Sequence, residues 1–185
     1  MLNRRTRVRA LAVTGMAAVT VAVGTVTYQA SAAETATPAS SDVRAVAVPL
    51  IPKDIRPPQG SRLIGAYLVE TGTQTYTCGI AGSTPEAELI GTGGRIHHFA
   101  GPSWQSRRDG SLVTAFKLKE SARAGTIPEL LLQVNSHSGH GILEKADYIN
   151  RLLTSGGTAP ADCPIGTKVS VPYKAVYVFW DDPQT

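Results

Sequence analysis

Apolar and polar residues alternate with a period of two through much of the chain beyond residue 60, a pattern that is typical of half-buried β-strands. The longest alternating run ends near residue 180. One face of that run carries Val169, Val171, Tyr173, Ala175, Tyr177 and Phe179. Pro172 has no amide hydrogen to donate, so its place inside the run predicts an edge strand or a bulge.

A second alternating run covers 112–119. Here we expect the apolar face to point inward and Lys117 and Lys119 to point to solvent. The inward set would be Leu112, Thr114, Phe116 and Leu118.

Three other stretches complete the strand pattern. Residues 63–69 and 74–78 are predicted to form a hairpin over Thr71-Gly72, and 130–134 to form a buried strand. Residues 143–154 fit either a helix or a strand. Glycine, proline and Asp-Gly pairs separate these runs, which predicts an all-β, mainly antiparallel fold, either a sandwich or a barrel.

The N-terminus has the parts of a secretion signal. Four arginines between residues 4 and 9 precede an apolar stretch, and Ala30-Ser31-Ala32 fits the small-x-small rule for signal peptidase. We therefore predict a signal peptide over 1–32 and a mature chain that is secreted without a membrane anchor.

The remaining chain divides at about residue 60. Residues 33–60 are rich in proline and alanine, a composition that predicts an extended N-terminal arm. Residues 61–185 have the size of a single domain with one core.

Cleavage of the signal would change the charge balance. The whole chain has 18 Lys and Arg against 14 Asp and Glu, a formal net charge of +4. The signal holds four arginines and no acidic residue, so the mature chain would be neutral. Nucleic acid and anionic membranes are not expected partners, because such binding depends on a basic patch.

The two cysteines, Cys78 and Cys163, allow one pairing. In an exported chain, an even number of cysteines predicts a disulfide, which here would tie the first third of the domain to the last. No cysteine shares a motif with a histidine, so a catalytic thiol has no support.

Blocks spread over nearly the whole domain resemble, in order, those of the DUF3455 family, a domain of unknown function in secreted bacterial and fungal proteins. The blocks are "GTQTYTC" (72–78), "PEAEL" (85–89), "HFAGPSWQSRRDGSLV" (98–113), "IPELLLQV" (127–134), "DYINRLLTSGGTAPADC" (147–163) and "VPYKAVYVFW" (171–180). The resemblance implies a compact β domain and supports the Cys78–Cys163 pairing, but it implies no reaction. The glycine cluster at 91–94 lacks dinucleotide-loop spacing and predicts a turn, so no cofactor is expected.

The stretch 96–113 contains the catalytic candidates His98 and Asp109. A hairpin that brings an imidazole to a carboxylate could supply a base and its orienting partner, with Glu88 as another possible carboxylate. The structural alternative is that Asp109-Gly110 forms a tight turn and that His98 bonds a backbone carbonyl. Adjacent histidines on a strand point to opposite faces, so His97 and His98 would not share an ion and no metal site is predicted.

A second set of candidates lies on the family-matching strands. Aromatic rings with one guanidinium make a platform for a sugar or a small acid, although outward cross-strand packing would explain them equally. The set is Tyr76, Trp104, Tyr148, Arg151 and Tyr173.

Two function classes remain. The first is a secreted, non-enzymatic domain that binds a small molecule or glycan, or that interacts with a surface. The second is a small extracellular hydrolase or lyase that uses His98 with Asp109 or Glu88. The enzyme requires His98 to open into a pocket within hydrogen-bonding reach of a carboxylate.

Overall fold

The computed structural model describes residues 45–184. The predicted signal peptide, 1–32, and the first part of the predicted arm, 33–44, lie outside these residues. After one short 3-10 turn at Lys53–Ile55, eight strands follow in chain order. They are Arg62–Thr77 (β1), Thr84–Gly91 (β2), Gly94–Phe99 (β3), Ser103–Ser106 (β4), Leu112–Ser121 (β5), Glu129–Ser138 (β6), Tyr148–Gly156 (β7) and Lys168–Asp181 (β8).

The eight strands form one closed barrel. Each strand pairs antiparallel with the next one along the chain, and β8 pairs with β1 to complete the ring. The all-β, antiparallel prediction is confirmed, and the fold is a barrel. Within residues 45–184, no helix is long and apolar enough to cross a membrane.

Most of the strand pattern is confirmed. Tyr173, Ala175, Tyr177 and Phe179 all face the barrel interior and are almost fully buried. Pro172 lies where the register between β8 and β1 shifts, so the proline marks a bulge in a closed sheet. The ambiguous stretch 143–154 is a strand from Tyr148 onward, and the glycine cluster forms the β2–β3 turn.

The hairpin predicted over Thr71-Gly72 is wrong, because 62–77 is one continuous strand. Gly72 is required by packing and not by a turn. A Cβ atom at Gly72 would lie 2.8 Å from Val69 Cγ1 and 2.9 Å from the Tyr173 ring. The glycine therefore lets β1 pass close to side chains inside the barrel.

The orientation predicted for 112–119 is also wrong. Burial alternates from Leu112 to Ala115 only, with Val113 and Ala115 facing the interior, whereas Phe116 and Leu118 are 45% and 42% exposed. Val113 pairs with Trp104 on β4. Because the indole occupies the adjacent interior, small side chains face inward on β5 and larger ones face outward.

One end of the barrel is closed by the segment between β6 and β7, residues 139–147, which we call the closing segment. Leu143 and Ala146 from this segment are fully buried in the barrel core. The closing segment is held by hydrogen bonds from Ile142 N to Asp109 Oδ2 (3.1 Å) and from His137 Nε2 to the Ala146 carbonyl (2.9 Å). The opposite, open end is formed by the β1–β2, β3–β4, β5–β6 and β7–β8 loops.

The described part of the N-terminal arm packs on the outer wall of the barrel. Ile55 is fully buried there, in an apolar cluster with outward side chains of β1, β6, β7 and β8. Asn150, also fully buried, donates from Nδ2 to the Ile55 carbonyl (2.8 Å) and accepts a hydrogen bond from Trp180 Nε1 (3.0 Å). This amide joins the arm to two strands.

The disulfide Cys78–Cys163 joins the β1–β2 loop to the β7–β8 loop at the open end, as predicted. Hydrogen bonds from Cys78 N to the Thr167 carbonyl (2.8 Å) and from Gly166 N to the Cys78 carbonyl (2.9 Å) support the same junction. The disulfide therefore ties two of the four loops that surround the open end.

We expect Asn150→Ala to lower the free energy of unfolding by about 2 to 3 kcal/mol, because it leaves buried polar groups of Ile55 and Trp180 without partners. Urea denaturation measures this change. Asn135→Ala is the matched control, since Asn135 is exposed and accepts only from Thr114 Oγ1 (2.8 Å). Equal losses in the two variants would contradict the prediction.

We expect the paired change Cys78→Ser and Cys163→Ser to cost roughly 4 to 5 kcal/mol of stability, because the disulfide closes a long loop in the unfolded chain. The sequence separation of the two cysteines is 85. Denaturation of the oxidised protein and of the variant gives the difference. A loss below about 1 kcal/mol would show that the loop-entropy argument fails here.

Candidate functional site

The open end of the barrel leads into a cavity of about 440 Å³. Its inner lining comes from inward-facing residues of the strands, including His98, Trp104, Leu130, Leu132, Arg151 and Tyr177. Its rim comes from 83–85 and 100–102. Small-molecule pockets have volumes of roughly 300 to 1,000 Å³, so the cavity is large enough for a ligand.

The cavity exists because the two halves of the barrel interior are filled differently. Toward the closing segment, large rings and aliphatic side chains pack against each other; the Tyr67 and Phe179 rings meet edge to face at 5.5 Å. Toward the open end, a space remains between inward side chains that include His98, Arg151 and Tyr177. Eight strands enclose a space that side chains can fill or that can hold one small ligand.

His98 lies in the wall of this cavity and is 2% exposed. Its Nδ1 lies 2.9 Å from the Ser103 carbonyl, which can only accept, so Nδ1 carries the proton. The imidazole stacks on the Trp104 indole, with ring centroids 4.3 Å apart and planes within 5°. In residues 45–184, Nε2 of His98 has no hydrogen-bond partner.

Burial lowers the pKa of His98 to about 3. Desolvation of the charged ring is the largest cause, and the hydrogen bond to Ser103 opposes it without reversing it. The positive charge of Arg151 lowers the pKa further. His98 is therefore a neutral imidazole with its unprotonated nitrogen at Nε2.

Arg151 brings a charged group into the barrel interior. Its Nε and Nη2 donate to the Pro128 carbonyl at 3.2 and 2.9 Å. Burial raises the pKa of the Tyr177 phenol, and the Arg151 charge acts against that shift. The Tyr177 hydroxyl lies 3.3 Å from the Tyr173 hydroxyl, so both phenols and the guanidinium form one polar cluster beside the cavity.

Within residues 45–184, two buried donors that line the cavity have no acceptor at hydrogen-bonding distance, although one of them, on Gln74, acts to lower the pKa of Tyr173. They are Trp104 Nε1 and Gln74 Nε2. Gln74 uses its other terminal atom, Oε1, to accept from Ser83 Oγ (2.7 Å) at the rim. Buried donors in native proteins nearly always have partners, so these two atoms indicate a polar group that the protein itself does not supply.

The structure separates the five residues of the predicted ligand platform. Trp104 and Arg151 line the cavity, and Tyr173 lies next to it through Tyr177. Tyr76 donates its hydroxyl to the Gly157 carbonyl at the open end. Tyr148 packs on the outer wall, in the cluster with Ile55, because successive residues of β7 face opposite sides.

The structure does not bring the catalytic candidates together. Asp109 Oδ1 accepts from Ser111 Oγ (2.6 Å) and Ser111 N (3.1 Å), near the closed end. Burial acts to raise the Asp109 pKa, but hydrogen bonds from Ser111, Ile142 and Ser106 outweigh it and lower the pKa to about 2. Glu88 pairs with Arg107. Across residues 45–184, no carboxylate lies within hydrogen-bonding distance of His98.

The other histidines serve local contacts. His97 Nε2 lies 2.6 Å from Glu86 Oε1, and His140 Nδ1 lies 3.1 Å from Glu144 Oε1. Within the described part of the chain, no group of three or more His, Cys, Asp or Glu side chains is arranged to hold a metal ion.

Residues 83–181, which include β2 to β8, match the family described as "Protein of unknown function (DUF3455)". The chain belongs to DUF3455. No curated protein and no solved structure matches the chain. The matched segment supplies every inner lining residue of the cavity in this DUF3455 protein except Gln74, which lies on β1.

Sequence reasoning did not select Gln74 or Tyr177 as site residues. Tyr177 shares a face with Tyr173 in the alternating run, so the period of two contains a signal for its inward position. Gln74 lies in a polar stretch and pairs with Pro85 across β1 and β2. No local pattern distinguishes Gln74 from its half-buried neighbours Thr73 and Thr75.

We expect the free energy of unfolding to fall as the pH drops below about 6.5. His98 binds its proton less readily when folded, since its pKa is about 3 there against 6.5 as a free group. The unfolded chain therefore takes up more protons, and the slope should approach 1.4 kcal/mol per pH unit, at most, for this one group.

Urea denaturation between about pH 7.5 and 4.5 measures this slope, in a range above the titration of Asp109. His98→Gln should reduce the slope. His140→Gln is the control and should change the slope less than His98→Gln does, because the His140 side chain is 95% exposed. An unchanged slope in His98→Gln would contradict the assignment of a neutral, buried His98.

Proposed function

We propose that this DUF3455 domain is a secreted, non-enzymatic protein that binds a small organic molecule inside its barrel. The observation that carries the proposal is the cavity of about 440 Å³, open at one end and closed at the other by the closing segment. A blind cavity of this size can surround most of a small ligand.

The composition of the wall supports binding. Leu130, Leu132 and the Trp104–His98 stack provide apolar and aromatic surface, while Arg151 and Tyr177 provide a few polar groups. A mostly apolar wall with a small number of oriented polar groups is the usual composition of a ligand site.

The geometry favours binding over catalysis. His98 has the position of a reactive group, but its Nδ1 bonds a backbone carbonyl and its low pKa makes it a poor base. The carboxylates that the enzyme hypothesis needs are used elsewhere, Asp109 by Ser111 and Ile142 and Glu88 by Arg107.

Secretion is part of the same proposal. The signal-like N-terminus supports it, and a disulfide at the open end is stable in an oxidising compartment. The disulfide ties two rim loops together, so it would hold the entrance of the cavity in one shape outside the cell.

The test is a binding assay on the mature, oxidised protein with four probes: naphthoate, naphthamide, octanoate and octanamide. We expect a one-to-one complex with at least one probe in native mass spectrometry. At a free concentration 100-fold above its Kd, that probe should add about 2.7 kcal/mol to the stability measured by thermal shift.

The variant that locates the binding is Ala100→Trp, which places an indole in the rim from an exposed position. It should abolish probe binding and leave the melting temperature of the free protein nearly unchanged. Ala47→Trp, at an exposed position of the arm, is the matched control and should bind the probes like the wild type. The proposal fails if no probe binds, or if Ala100→Trp binds as well as Ala47→Trp.

A further inference from the structure

We infer that the molecule bound in the cavity is an organic monoanion, with a carboxylate held by Arg151 and an apolar body against Trp104 and the two leucines. This inference rests on the proposed function, and it adds the chemical class of the ligand. It depends on the charge of the lining, on the donors that lack acceptors and on the apolar residues of the cavity wall.

The charge of the lining is positive. Arg151 and Lys117 are the ionised residues that line the cavity, and no Asp or Glu among the described residues does so. Lys117 pairs with Glu120 at 2.7 Å, whereas Arg151, among the described residues, donates to the Pro128 carbonyl and otherwise lies beside neutral groups, the tyrosine cluster and His98. Placing a guanidinium in a partly buried site without a carboxylate is unfavourable, and an anionic ligand would remove that cost.

The nearest buried carboxylate does not serve Arg151. Glu129 is 7% exposed, but its Oε1 accepts from Leu153 N (2.7 Å) and pairs with Arg123 (3.3 Å) on the outside of the barrel. The charge of Arg151 is therefore left for a ligand.

The two buried donors without acceptors have the same polarity as the charge of Arg151, whereas His98 Nε2 is an acceptor without a partner that a carboxylate would leave unsatisfied. Trp104 Nε1 and Gln74 Nε2 are both donors without acceptors, and both residues line the cavity with Arg151. A carboxylate offers two oxygens with about four acceptor positions and no donor, so it matches such a lining. A sugar presents mainly hydroxyl groups that also need acceptors, which this wall supplies only sparsely.

Arg151 is a single cation without a carboxylate partner among the described residues, so it matches a ligand that carries one negative charge. His98 adds no second positive charge, since it is buried as the neutral imidazole beside Arg151. A dianion such as a phosphate monoester or a dicarboxylate would leave one charge uncompensated in the cavity. The apolar surface of Leu130, Leu132 and Trp104 then favours a monocarboxylate with a hydrophobic body.

The experiment compares naphthoate with naphthamide, which have nearly the same size and differ in charge. Isothermal titration calorimetry near neutral pH should show naphthoate binding at least about ten-fold more tightly to the wild type. Arg151→Gln should remove this preference by weakening naphthoate alone, and Arg151→Lys should keep part of it. Arg108→Gln, at an exposed arginine near the closed end, should bind both probes like the wild type.

The outcomes separate the two proposals. If naphthamide binds the wild type as tightly as naphthoate, or if Arg151→Gln keeps the preference for naphthoate, the anion inference is overturned while the cavity function stands. If none of the four probes binds, neither the two naphthyl compounds nor octanoate and octanamide, the proposed function itself fails. Should Arg151→Gln not fold, the wild-type comparison and Arg151→Lys still decide the inference.

Discussion

The pairing of β8 with β1 closes the sheet, and most other features of the molecule depend on this closure. An open sheet of eight strands would leave two unpaired edges and one exposed apolar face. Closure removes both edges and turns one face into an interior. Bulges at the β1–β8 and β7–β8 contacts, near Pro172 and Leu153, allow the long strands to curve enough for the ends to meet.

Closure also creates a space that the side chains must fill or leave open. The closing segment fills the space at one end, and its position depends on Asp109, Ser111 and His137. At the other end, the disulfide joins two neighbouring loops of the rim, and Ile127 of the β5–β6 loop packs into the core. Asp109 thus has a structural explanation, and the asymmetry between the ends accounts for the cavity.

The polar residues inside the barrel are the main link between fold and function. An interior filled only with aliphatic side chains would be more stable than one that contains His98, Arg151 and three tyrosines, because polar groups lose hydration when buried. His98 meets this cost with a carbonyl bond and a ring stack. Arg151, Trp104 and Gln74 meet it incompletely, which is the reason for assigning these residues to a ligand.

On the outer wall of the barrel, the arm covers apolar side chains that would otherwise be exposed to water. Apolar side chains on the outside of β6, β7 and β8 would be exposed in a bare barrel, and the arm covers them through Ile51 and Ile55. Asn150 satisfies the arm's backbone at that contact. Tyr148 belongs to this covered surface, so an aromatic residue on a family-matching strand need not belong to the binding site.

The sequence by itself predicted the all-β class and the disulfide, and it limited Pro172 to an edge strand or a bulge and Asp109 to a tight turn or a catalytic partner, because each depends on a local pattern or on a pairing with one solution. It placed Trp104 and Arg151 among the site candidates, but it could not separate them from Tyr148, since alternation defines two faces without stating which one is inside. The face of β5 and the continuity of β1 were decided by tertiary packing, through Trp104 beside Val113 and through the space that Gly72 leaves for Tyr173. The cavity was also decided there, because its size depends on how side chains from eight strands share one interior.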